Sequence, residues 1–420
     1  MKQKLLGIGL VLALLSVAFA QTEVVWWDFL SGGDGVRMKA LIDEFNATHD
    51  DIQINATTLE WGVPFYTKVQ TSAAVGEQPD VMTYHMSRYP LGIEQGVLRP
   101  ISDDELAAAG ISKDDYQPGL VEAATIDGQL YGIPFDVHSI ILYYNKEILS
   151  EVGLLSEDGL PLGIDGADNF SASLQQIADA GYLPLSFGNS NEAGNVFRIF
   201  YSLLNQQAGA PPLVADGMVN ASDEAKTALR TMQDWIENGY ARENVDYPSS
   251  VALFTSGETA FTINGVWEVP TMIDLEASGE LFDWGAVAFP VLFDQPATWV
   301  DAHTFAIPAS TSNPISDEKV AAVLEVIAWM NENSISWAEA GHIPAYSPVT
   351  ASVEYQELEP NATYVSLAEH SVFESRSTST GVASPLYDAV SNFLEPALSG
   401  QISAEEAVDL FAEDLQSQMR

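Results

Sequence analysis

Three apolar strands separated by two helical stretches fill residues 22–85, and that order constrains the chain more than anything else in it. TEVVWWDF (22–29) is a continuous apolar run of the kind buried on both faces of a sheet. After the turn SGGDG, Met38, Leu41, Ile42 and Phe45 fall at i, i+3, i+4 and i+7, one stripe of a helix. IQINATTLEW (52–61) returns as a strand, a helix is predicted over 66–75, and PDVMTYH (79–85) is a third strand. Strand, helix, strand, helix, strand is the pattern of a parallel α/β sheet.

The same alternation continues. TIDGQLYGIPFDVHSIILYYN (125–145) carries an Asp127-Gly128 hairpin signal and then a long apolar strand, read as the passage into a second lobe. Helices are predicted at 171–180, 195–207 and 223–238, the last with Ala225, Leu229, Met232 and Ile236 as its buried stripe. Strands are predicted at ETAFTING and at 284–292. DAHTFAIP (301–308) is expected to cross back. Ser316 reads as the N-cap of a helix to 333, and Ser403 to Glu406 as a capping box.

The first twenty residues combine Lys2 and Lys4, an apolar run and Ala18-Phe19-Ala20, a cleavable secretory signal with the cut expected after Ala20. With no cysteine in the chain there is no disulfide framework, thiol chemistry or lipid-modified N-terminal cysteine. The expected protein is therefore periplasmic, exported and not lipid-anchored. Of 16 basic residues the signal holds two, leaving 14 against 59 acids, or −45. Such a surface excludes nucleic acid, disfavours anionic ligands, and suits salty surroundings that screen self-repulsion. Hydrophobic residues at 47% show that a packed protein, not an acidic disordered one, is encoded. About 400 residues after cleavage exceed what one core usually holds, so two lobes are expected.

Motifs for covalent chemistry are missing: there is no G-x-x-x-x-G-K-[ST], H-E-x-x-H or G-x-S-x-G. A two-carboxylate glycosidase using Asp136 and Glu268 is the strongest enzyme reading, but among 59 acids some pair always suits. His85, His138, His303 and His342 sit at strand ends or turns, and none is paired at short spacing. They are read as core or cleft histidines, and neither a metal site nor a cofactor is expected. Aromatics say more. Trp26, Trp27, Trp61, Tyr84 and Trp267 lie at or just beyond strands, where open α/β sheets bind ligands. TINGVWEVP (262–270) stands out: Asn264-Gly265 reads as a surface turn, which would put Trp267 on display. An exposed ring there suits a sugar, whose C–H faces pack on aromatics.

VVWWDFLSGGDG, PDVMTYHMSR, DGQLYGIPFDVHSIILYYNKEIL, FTSGETAFTINGVW and DAHTFAIP, in this order, resemble the extracellular solute-binding proteins, family 1, of bacterial ABC importers. That group includes maltose-binding and glycerol-3-phosphate-binding proteins. The resemblance implies a two-lobed periplasmic-binding-protein fold of type II, with a ligand cleft between lobes joined by a multi-strand hinge. It places lobe 1 at 21–132 plus 301–343 and lobe 2 at 133–300 plus 344–420. Carried over by position, Asp28 and Ser31 become hydroxyl contacts, while Tyr84, Ser87 and Arg88 become an aromatic, a polar and an arginine contact. His138 falls where the maltose binders carry a ligand-binding acid, a departure that argues against maltose, with Asp136 two residues earlier. Glu192 lies near another binding acid, Trp267 matches the stacking tryptophan, Trp61 is a second platform, and His303 and His342 lie near the hinge. The implied protein is a monomeric sugar receptor serving a membrane permease and its ATPase, with no catalytic residues. Glycerol-3-phosphate or another phosphorylated polyol is the alternative ligand, for which Arg88 and Arg198 are the candidate cations.

Overall fold

The computed structural model describes residues 21–419; the signal-peptide reading of residues 1–20, with its cut after Ala20, lies outside them. Among the described residues no helix is long and apolar enough to cross a membrane. In chain order the strands that build the two main sheets are β1 (Thr22–Asp28), β2 (Ile52–Thr58), β3 (Val81–His85), β4 (Leu98–Arg99), β5 (Ile133–Pro134), β6 (Asp136–Asn145), β7 (Leu183–Ser186), β8 (Thr259–Gly265), β9 (Trp284–Ala288), β10 (Thr298–Asp301), β11 (His303–Pro308), β12 (Ile343–Pro344) and β13 (Ser371–Val372). The helices that matter for the site are α1 (Gly33–Thr48), α2 (Val63–Val75), α3 (Ala193–Asn205), α4 (Asp223–Glu237), α5 (Tyr247–Thr255), α6 (Val269–Ser278), α7 (Asp317–Glu332) and α8 (Ile335–Ala338).

The first sheet has the order β2-β1-β3-β11-β4, with β5 on β11; the second has β13-β10-β6-β8-β7, with β9 and β12 on β6. β1 runs parallel to β2 and β3, as the opening alternation predicts, and α1, which packs on β2, buries Met38, Leu41, Ile42 and Phe45. β6 is the spine of the second sheet, with all ten residues buried. Each large aliphatic side chain sealed there contributes about 1.5–3 kcal/mol. The architecture is the two-lobed α/β arrangement of periplasmic binding proteins.

Local departures from the sequence reading have local causes. α2 begins at Val63, earlier than expected, because Pro64 is preorganised for a first helical turn. β9 stops at Ala288, since Pro290 has no N–H for the ladder. In α4 it is Trp235 that is buried beside Ala225, Leu229 and Met232, and Ile236 is only half-buried. Ser403 caps its helix through the N–H of Glu406 alone, whereas the reciprocal capping box is at Ser102 and Glu105. Asn264-Gly265 is not a turn: both residues end β8, buried, with Gly265 extended at φ −81° and ψ 163°.

The chain passes between the sheets three times. β5 pairs with the first sheet and β6 with the second, so the first crossing is at Phe135; β10 and β11 cross back at Ala302. The third runs from α7, packed on β1, through α8 to β12 on β6. The crossings are tied by Phe135 N–H to His303 O (2.9 Å) and Ala345 N–H to Phe135 O (2.9 Å). Asp136, His138, His303 and His342 all lie within a few residues of these crossings.

Candidate functional site

A cleft of about 300 Å³ opens between the two sheets. On one side stand the loop from β1 into α1 (Phe29 to Gly32, and Asp34), Trp61, and His85 and His303 from strand ends. On the other stand His138 of β6, Glu192 and Arg198 of the α3 start, Tyr247 of α5, and Trp267 with Glu268 between β8 and α6. These are strand ends and helix starts, where an open α/β sheet leaves a crevice.

Trp267 is positioned from below and behind. Its ring lies over Gly265, where any Cβ would overlap the indole, so this glycine permits close approach and does not make a turn. Its Nε1–H donates to Tyr247 Oη at 2.8 Å, and that hydroxyl in turn donates to Glu268. Arg198 lies between two indoles, its Cζ 4.7 Å from the Trp267 ring and 4.6 Å from that of Trp299. Arg198 is 7% exposed, and its Nε has no hydrogen-bond partner among the described residues. Trp61 lines the cleft from the other lobe, 41% exposed, its ring at 83° to that of His85 with the centroids 6.3 Å apart.

The floor is a stack of imidazoles. His85 stacks on Phe29 at 4.5 Å and pairs its Nδ1 with Tyr66 Oη at 2.6 Å; His138 and His303 stack at 4.2 Å. Under them Asp136, fully buried, takes His138 Nδ1 at 3.1 Å, His303 Nδ1 at 2.8 Å, Trp337 Nε1 at 2.7 Å and the His303 N–H at 2.9 Å. Burial alone would push the Asp136 carboxyl up, yet the neighbouring His303 and His342 and the hydrogen bonds from His138 and His303 hold it well below the usual range. Burial and the His303 charge push His138 down to about 3, which keeps its ring neutral. His303 is raised because Asp136 outweighs the effect of burial. Burial lifts Glu192 to about 7, against the pull of Arg198 and with the help of the Glu395 charge. Asp136, His138, His303 and His342 also form a group whose ligand atoms all lie within 4.8 Å of one another. Spacing along the chain kept these histidines apart; the hinge brings them together.

Of the residues singled out in the sequence, Ser31, Trp61, His138, Glu192, Trp267 and His303 line the cleft. The others stand elsewhere. Asp28 is buried beside it, its Oδ1 accepting the Leu30 N–H at 3.0 Å. Tyr84 is 1% exposed in the core of the first lobe. Ser87 bonds Asp301, and Arg88 stacks on Tyr66 at 4.2 Å while donating to the carbonyls of Val382 and Ala383. Both knit the two lobes together. Asp136 and His342 sit beneath the floor. Phe29, Leu30, Asp34, His85 and Tyr247 were not foreseen as contacts, and Arg198 and Glu268 only under other readings. A polar or aromatic residue at or just past a strand end was the available signal for Phe29, His85 and Glu268, whereas Asp34, Arg198 and Tyr247 come from helices.

Residues 31–335 match the family described as bacterial extracellular solute-binding protein. A lactose-binding protein of Rhizobium radiobacter is 25% identical over 292 residues, 67% of this chain and 64% of that protein, so the match spans just under two thirds of its length. A galactooligosaccharide-binding protein of Bacillus subtilis is 20% identical over 415 residues, 95% of this chain and 90% of that protein. Among solved structures, the maltose-bound MalE3 of T. maritima superposes with a TM-score of 0.80 at 18% identity, over 95% of this chain and 100% of that one. Fold, cleft and profile agree: the chain belongs to the bacterial extracellular solute-binding protein family.

Proposed function

We propose that this protein is the extracytoplasmic substrate-binding subunit of an ABC importer, that it captures a sugar in the cleft without chemistry, and that it delivers the sugar to a membrane permease. The observation that carries the reading is the pairing of Trp267 and Trp61 across one cleft, with Glu192, Arg198 and the histidines between them. Flat rings take the C–H faces of a sugar, and carboxyl, guanidinium and imidazole groups take its hydroxyls. A cleft of about 300 Å³ is at the small end of ligand pockets, which favours a mono- or disaccharide. The names of the relatives, binders of lactose and galactooligosaccharides, support the same class. The protein acts as a monomer, and its lobes divide where strands change sheets, at Phe135, Ala302 and His342, a refinement of the expected 21–132 plus 301–343 and 133–300 plus 344–420.

A phosphorylated polyol is less well supported, because the Arg88 guanidinium already holds two carbonyls and Arg198 is the one arginine in the cleft lining among the described residues. A glycosidase using Asp136 and Glu268 is disfavoured, since the Asp136 oxygens are sealed under the histidines. Calorimetry with a panel of mono- and oligosaccharides tests the reading. Stoichiometric binding without product is expected; heat from phosphate esters alone, or release of product, defeats it.

A further inference from the structure

We propose that Asp136, His138, His303 and His342 form a binding site for one divalent transition-metal ion, of the zinc class, at the hinge beneath the cleft. The four side chains come from the three crossings: Asp136 and His138 from β6, His303 from β11, and His342 from the residue before β12. All are buried, and their ligand atoms lie within 4.8 Å of one another. The three Nδ1 atoms approach the carboxylate at 3.1, 2.8 and 3.0 Å. Metal–ligand bonds of about 2.0–2.1 Å in a tetrahedron put ligand atoms roughly 3.3 Å apart. The imidazole–carboxylate distances are already close to that, and the pairs that are farther apart, up to 4.8 Å, would draw in around an ion by side-chain rotation.

His342 carries the argument. It is fully buried, and neither ring nitrogen has a hydrogen-bond partner among the described residues. Its Nδ1 is 3.0 Å from Asp136 Oδ2, close enough for a hydrogen bond but wrongly directed for one. A buried imidazole idle at both nitrogens is costly in a core and natural beside a metal. The carboxylate is also held as a ligand's outer partners would hold it, by the Trp337 Nε1–H at 2.7 Å and the His303 N–H at 2.9 Å. Three imidazoles and one carboxylate suit Zn²⁺, Co²⁺ or Ni²⁺ and not Ca²⁺ or Mg²⁺, which prefer all-oxygen shells. Four protein ligands with no open position make the ion structural. It would rivet the three crossings together and fix the His138 and His303 rings that floor the cleft. This holds whether or not the cleft takes a sugar.

The test uses the untagged chain, stripped with a chelator, loaded with Zn²⁺ or Co²⁺ and passed through gel filtration. We expect about one metal per chain by elemental analysis, the intense visible bands of tetrahedral Co²⁺, and a melting temperature several degrees above that of the stripped protein. His342→Gln should abolish retention, while His370→Gln, at an exposed histidine outside the cluster, should leave it intact. If His342→Gln fails to fold, the wild-type Co²⁺ spectrum and chelator-dependent melting decide alone. The proposal is overturned if the stripped and loaded wild-type proteins melt together and retain no metal, or if His342→Gln keeps the ion. The cluster is then a hydrogen-bonded network around Asp136.

Discussion

The two walls of the cleft are built on different plans. The wall from the second lobe is braced: Trp267 lies over Gly265, its indole N–H is held by Tyr247, and Arg198 stacks against it. The facing wall is the loop into α1, the floor histidines His85 and His303, and Trp61, whose ring is 41% exposed and, among the described residues, has no hydrogen bond or stacked cation like those of Trp267. A ring whose rotamer is already fixed loses little entropy when a ligand stacks on it, whereas a free ring must be ordered first. The braced wall should therefore carry most of the affinity, and the open wall should complete the enclosure on closing.

The largest effect expected from that contrast concerns charge. Burial moves Glu192 from its ordinary 4.5 to about 7, so the folded protein holds a proton there that the unfolded chain releases. A raised carboxyl destabilises the fold once ionised: the associated stability is present below pH 4.5 and lost as pH rises to 7. The loss is on the order of 2–3 kcal/mol. Urea titrations at several pH values should therefore slope less steeply for Glu192→Gln than for the wild type. Glu374, also lifted to about 7 by burial and by Asp301, contributes equally to both proteins and cancels. Parallel slopes would mean that Glu192 is solvated and the braced wall is not dry.

Next comes stacking. Trp267→Ala should weaken sugar binding by about 1–3 kcal/mol with the fold intact, measured by calorimetry. Gly265→Ala, which forces a methyl group into the space of the ring, should weaken it comparably without touching the ligand. Trp61→Ala should lose under about 1 kcal/mol, since an unbraced ring gives back part of its contact energy in ordering. Equal losses at Trp61 and Trp267 would break the comparison between the walls.

The walls also differ in how far they could be read in advance. Helix stripes and buried strands in 22–85 were legible because periodicity is a local property. Trp267 was found with the wrong geometry, because Asn-Gly usually marks a hairpin but here closes a buried strand whose glycine admits an indole. Arg88 matches a contact position by alignment, yet its guanidinium is taken by the carbonyls of Val382 and Ala383, a long-range partnership no local pattern announces. The histidine floor was legible only one residue at a time: His138, His303 and His342 were carried over as site positions, but the cluster's members lie on three separate crossings, and only the topology makes them neighbours.

The smallest expected effect lies at the mouth, where the walls meet. Gly33 of α1 approaches Pro270 of α6 so closely that a Cβ would stand 2.7 Å from the Pro270 Cβ, and Arg37 pairs with Asp274 at 2.6 Å. These contacts link the open wall to the braced one; in the proposed receptor, opening of the lobes would break them, so they would favour the closed form. Their strength is limited because the pair is exposed, 20% for Arg37 and 57% for Asp274. Such a bridge contributes about 0.2–1 kcal/mol and is screened by salt. Arg37→Ala should therefore lower ligand affinity a few-fold in dilute buffer, and the difference from wild type should shrink as salt is added. Gly33→Ala should act in the same direction but without the salt dependence, because its obstacle is steric. If both variants respond to salt alike, the mouth is governed by the overall acidic field and not by this latch, and the open wall is then drawn in by the ligand alone.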